Sequence, residues 1–71
     1  MMNYWHRWEI HNNEVISHDT DWIEEEVEED RYNFKNFVGN AAWSVVIDAE
    51  NLLVVQMKES GTWLIYKKKE N

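Results

Sequence analysis

The chain has no cysteine, no proline and only two glycines, Gly39 and Gly61. Without cysteine there are no disulfides and no thiolate metal site, so a 71-residue protein must draw its stability from packing, a bound metal or association. That absence is also compatible with a reducing cytosol. Two glycines cannot build a Gly-rich phosphate loop. With no proline, no repeat and no low-complexity linker, residues 1–71 are expected to form a single domain. No apolar run approaches the ~18–20 residues of a membrane span, and no basic region precedes an apolar one as in a signal peptide. A soluble, cytoplasmic protein is the expectation. Basic residues are also scarce: 7 Lys and Arg stand against 14 Asp and Glu, for a net charge of −7 and a pI near 4.7. Direct nucleic-acid binding, which relies on clustered Lys and Arg at phosphates, is disfavoured.

The negative charge is concentrated in one stretch, Asp19 to Asp30, reading DTDWIEEEVEED. Eight of its twelve residues are carboxylates and none is basic. Without those eight the chain has six acids against seven bases. A block of like charge repels itself and usually ends as a solvated face or tail. Here Trp22, Ile23 and Val27 are threaded through it, which marks a folded element that displays charge.

Tyr4 to His11 reads as a strand with Tyr4, His6, Trp8 and Ile10 on one side and Trp5, Arg7, Glu9 and His11 on the other. Asn12-Asn13 suits a tight turn into a short second strand, Glu14 to His18, placed at an edge. The acidic block reads as a helix, with Thr20 or Asp21 as N-cap and Glu24 in the capping-box position. Ile23, Val27, Phe34, Phe37 and Val38 make its apolar stripe. Asp30 intrudes on that stripe, which leaves Tyr32 to Val38 open as continued helix, strand or loop after a bend or end near Arg31, with Gly39-Asn40 a natural helix stop. Three β-rich runs follow, Ala42–Asp48, Leu52–Lys58 and Thr62–Lys68, at the spacing of an antiparallel meander. The last residues, 67–71, are lysine-rich and expected to fray.

Two of these runs, through Val45-Val46-Ile47 and Leu52-Leu53-Val54-Val55, are apolar on both sides and want cover on both. One helix covers one side only. The other must meet the N-terminal hairpin, a second copy of the chain, or a partner.

No catalytic constellation accompanies this pattern, so an enzyme is not expected. Paired carboxylates need a pocket that separates their pKa values, and a charged helix face offers none. His6, His11 and His18 match no zinc spacing, and the acidic block lacks the glycine and alternation of a calcium loop, so neither metal nor cofactor is expected. The tryptophans Trp22, Trp43 and Trp63 read as core. One of Trp5 and Trp8 should be exposed, and Trp5 with Arg7 is taken as a second contact patch.

The expected architecture is α+β, in the order ββαβββ. The expected role is a small acidic inhibitor that occupies the basic surface of a nucleic-acid-binding or nucleic-acid-processing protein, as phage and mobile-element anti-defence or immunity proteins do. Glu24, Glu25, Glu28 and Glu29 carry the charge, flanked by Asp21 and Asp30. The alternative is an interaction subunit or homodimer whose doubly apolar sheet is the interface and whose acids only solubilise.

Overall fold

In the computed structural model, which describes residues 3–18, 20–36 and 42–69, one antiparallel sheet carries one helix. The elements are β1 (Tyr4–His11), β2 (Glu14–Ser17), β3 (Trp22–Ile23), α1 (Glu24–Asn36), β4 (Trp43–Ala49), β5 (Leu52–Met57) and β6 (Trp63–Lys68). Apart from the two-residue β3, this is the expected ββαβββ order. The sheet order is β2-β1-β6-β5-β4, with β3 pairing the start of β1 beside β2. The first and last long strands are therefore neighbours at its centre.

The β1–β2 hairpin turns on Asn12 and Asn13, at φ 50° and 65°. Two successive left-handed residues give a turn whose twist matches that of the flanking strands, and Asn accepts this conformation better than most residues. The β5–β6 turn uses Gly61 at φ 73°, where its amide donates to the Met57 carbonyl at 2.9 Å. Such a φ favours the residue without a Cβ.

The helix begins later than the sequence suggests, and its cap is different. Trp22 and Ile23 are taken up by backbone pairing with Trp5 and Tyr4, so neither Thr20 nor Asp21 reaches the N-cap position. The Glu24 amide instead donates to the Asn3 carbonyl at 3.0 Å, and the Asn3 side chain donates to Glu24 Oε2 at 2.8 Å. A strand end thus satisfies one of the orphan helix donors. Glu24, Glu25 and Glu26 in the first turn and Lys35 in the last complement the helix dipole. The helix runs through Arg31 to Asn36; Asp30 is accommodated because its Oδ2 accepts a 3.2 Å hydrogen bond from Tyr66. Phe37, Val38 and the Gly39-Asn40 stop lie outside the described residues.

Cross-strand register assigns each residue to a side of the sheet. Trp5, Arg7, Glu9, Trp43, Val45, Asp48, Leu53, Val55, Leu64, Tyr66 and Lys68 share the helix side. There Val27 and Phe34 close a core with Trp5, Leu53, Val55, Leu64 and Tyr66, against which Trp22, Trp43 and Val45 pack. A β-bulge between Val45 and Ile47 explains why three apolar residues follow one another in β4. The extra residue, Val46, is exposed, and the shift it imposes puts Asp48 opposite Leu53 on the helix side. Arg31 and Lys35 of the helix both reach Asp48 there.

The opposite side carries Tyr4, His6, Trp8, Ile10, Val15, Ser17, Ile47, Leu52, Val54, Gln56, Trp63, Ile65 and Lys67. The N-terminal hairpin does not cover it, because β1 adds to the sheet beside β6 and does not cross its face. Trp63 is thus placed away from the core to which it was assigned. No helix of the described residues is long and apolar enough to cross a membrane.

Candidate functional site

The acidic block divides into two populations according to what the rest of the fold sets beside it. Asp21 receives Lys69 Nζ at 2.6 Å and lies 3.4 Å from His6 Nδ1. Glu24 receives Lys68 Nζ at 2.9 Å in addition to Asn3. The hydrogen bond from Lys69 holds the Asp21 carboxyl below its ordinary range, and those from Lys68 and Asn3 do the same for Glu24. Asp30 holds the buried Tyr66 hydroxyl, whose pKa burial pushes well up. These three acids of the expected site tie the helix entry (Asp21, Glu24) and the middle of the helix (Asp30) to the sheet. The expectation that the chain end frays fails for Lys67 to Lys69: Lys67 and Lys68 belong to β6, and the Lys69 amide donates to the Tyr4 carbonyl at 2.9 Å.

Glu25, Glu26, Glu28 and Glu29 are exposed. At ~100° per residue Glu25 and Glu29 lie opposite Val27 and Phe34, while Glu26 and Glu28 lie on the two flanks. Glu28 pairs with Arg31 at 2.9 Å, while Glu25, Glu26 and Glu29 have no ion pair among the described residues. Arg31 also lies 3.1 Å from Asp48, which binds Lys35 as well; the Lys35 hydrogen bond holds the Asp48 carboxyl below its ordinary range. The residual array is therefore four glutamates spread over the outer half of the helix, anchored on one flank by the Glu28–Arg31 pair.

Tyr32 stands on the same outer half, 67% exposed, about one turn from Glu28 and Glu29 and two turns from Glu25. The sequence reading passed over it because the segment after Arg31 was expected to bend. Once the helix is known to continue, the i+3 and i+4 spacing from Glu29 and Glu28 places it there. An exposed tyrosine amid charge has the composition of a binding hot spot.

Trp5 and Arg7 do not form the second contact patch. Trp5 is fully buried, with Arg31 and Lys68 over its ring at 5.5 and 5.9 Å. Arg7 lies 5.0 Å from the Trp22 ring and 5.7 Å from Tyr66, and donates to Glu9 at 2.8 Å. Burial raises the Glu9 pKa, but Arg7 and His18 together outweigh it and the net shift is downward. The position of Trp5 on β1 put it on the helix side, and nothing local in the sequence marks which side a helix will cover.

His6 bonds Ser17 at 2.9 Å and His11 bonds Thr62 at 2.8 Å, so both serve strand-to-strand contacts. Among the described residues no group of three or more His, Asp or Glu is placed to hold a metal ion. A shallow groove of about 300 Å³ runs between His6, Trp8 and Lys67, Lys68 and Lys69. Two of its three lysines are committed to Asp21 and Glu24. Comparison with protein families, curated proteins and solved structures found no match.

Proposed function

We propose that this chain is a small, non-catalytic, cytoplasmic binding protein that inhibits a nucleic-acid-binding or nucleic-acid-processing protein by occupying its basic surface. The observation that carries the reading is the ridge of Glu25, Glu26, Glu28 and Glu29 on one folded helix, with Tyr32 beside it. A helix holds these carboxylates at fixed spacings, so a cationic groove meets a preformed array of charge and no ordering of a tail is required. Long-range attraction speeds encounter and is screened by salt. The anti-defence and immunity proteins of phages and mobile elements are the functional type envisaged.

The test is a triple charge reversal, Glu25→Lys, Glu26→Lys and Glu29→Lys, at the three glutamates without an ion pair among the described residues. Capture of a partner from cognate lysate should fall at least tenfold. Wild-type capture should weaken with rising salt and be displaced by duplex DNA. Undiminished capture by a folded triple variant overturns the reading. The competing account, in which the acids only solubilise an interaction subunit, draws support from the internal ties of Asp21, Glu24 and Asp30. It requires that the reversals leave every association unchanged.

A further inference from the structure

The uncovered side of the sheet is the least charged surface of an otherwise strongly acidic molecule. By register its strands place half-buried Trp8, Ile10, Leu52, Trp63 and Ile65 and the buried Val54 across the centre, with Tyr4, Val15 and Ile47 towards the margins. Tyr4, Val15 and Ile47 are 41%, 67% and 41% exposed. Although the chain has 14 carboxylates, none of these strands places one on this side; among the strand residues Lys67 is the one Lys or Arg there, with Lys69 beside it just past β6. Among the described residues the acid nearest to it, Asp21, sits at the rim, bound to His6 and Lys69. No described element packs on this side: the core contacts of α1 all lie on the other. Contiguous apolar surface beyond a few hundred Å² is uncommon on a monomer and marks an interaction site.

We infer that this open sheet face is the interface for a second copy of the chain, joined face to face about a two-fold axis. Two observations select that occupant. The first is area. The Cα framework measures 36 × 28 × 17 Å, so its broad side has a flat footprint of roughly 800 Å², large enough to hold each partner's share of a standard stable interface, ~800 Å². The second is charge. Each copy carries net −7, so contact through the helices would press two acidic ridges together. Stacking the open faces at the ~10 Å spacing of packed sheets puts both helices on the outside of two slabs, each 17 Å thick. Their separation then far exceeds the ~8 Å Debye length at physiological ionic strength. A basic partner finds nothing to attract it on a side without strand carboxylates, whereas a two-fold mate needs only the same apolar patch. The strands of the two copies would run nearly aligned, as in a sheet sandwich. This inference stands whether or not the acidic ridge binds anything.

Sedimentation equilibrium of the full chain over about 1 µM to 1 mM tests it. The wild type should reach twice the 8.7 kDa chain mass. Ile47→Glu changes an exposed side chain and should leave the circular dichroism spectrum intact while weakening dimerisation at least tenfold; Ile65→Glu, nearer the centre, should weaken it more. The Glu25, Glu26 and Glu29 reversals should not weaken it. A monomer across the whole range overturns the inference, as does a dimer indifferent to Ile47→Glu. A shift of tryptophan fluorescence on adding a single-stranded oligonucleotide or lipid vesicles to a persistently monomeric chain would give the face to that occupant instead.

Discussion

The two sides of one sheet are built from similar residues and end in different states. Trp5, Trp22 and Trp43 lie on the helix side, where Trp5 is fully buried; Trp8 and Trp63 lie on the other, each only half-buried by its neighbours in the sheet. What separates them is the ring of charge around the helix. Glu24–Lys68, Arg31–Asp48 and Lys35–Asp48 bridge helix to sheet, and Arg7–Glu9 lies beneath them. The helix side is thus apolar in the middle and ionic at its margin, so one amphipathic element seals it. The other side is apolar with almost no ionic margin. Hydrophobic content alone does not decide what is core; the distribution of charge decides which surface a chain can close by itself.

The sharpest test of the contrast is truncation on either side. Trp5→Ala removes a fully buried indole and should cost about 3–5 kcal/mol, a large share of the stability of a domain this small, read from urea denaturation. Ile47→Ala, at an exposed position, should cost under about 1 kcal/mol in dilute monomer. Equal losses at the two sites would break the distinction.

The ionic margin makes a pH prediction. Glu9, Asp21, Glu24 and Asp48 have folded pKa values held below their ordinary ones. A depressed carboxylate stabilises the fold above its unfolded pKa, and that contribution is lost as pH falls through the lower folded value. Thermal stability should therefore be nearly flat from neutral pH down to about 5 and decline below about 4. Replacing Lys68 and Lys69 with Met should flatten the decline. The acid limb should keep its full slope if these ties contribute nothing.

The smallest effect concerns the first turn. Asn13→Gly at φ 65° relieves left-handed strain and should stabilise by about 0.5 kcal/mol, seen as a small rise in melting temperature. A fall would mean that the Asn13 side chain contributes more than its backbone costs.

Local chemistry made much of this fold legible. The Asn12-Asn13 turn, the meander and the acidic helix follow from turn residues and periodicity. The features that escaped depend on distant partners. Lys68 and Lys69 meet acids 44 and 48 residues away, so three of the expected site acids were assigned to a partner when the fold itself uses Asp21 and Glu24, and holds Asp30 against Tyr66. Strand β3 shortens the helix because Trp22 and Ile23 find β1, which no capping rule anticipates. The Val46 bulge changes which side Asp48 faces, and one extra residue in a valine-rich run leaves no sequence mark. The exposed glutamates Glu25, Glu28 and Glu29 were placed correctly because a helix face needs only its own spacing.

The central position of β6 has a consequence for folding. Its partners are β5 and β1, and the β1 pairing joins Trp5 to Lys68 and Ile10 to Trp63. Without Trp63–Lys68 in place, the first hairpin and the β4–β5 pair share no ladder, and Trp5 lacks its Lys68 neighbour. Contacts of such sequence separation are slow to form. Docking of β6 is therefore the step that joins the two ribbons into one sheet.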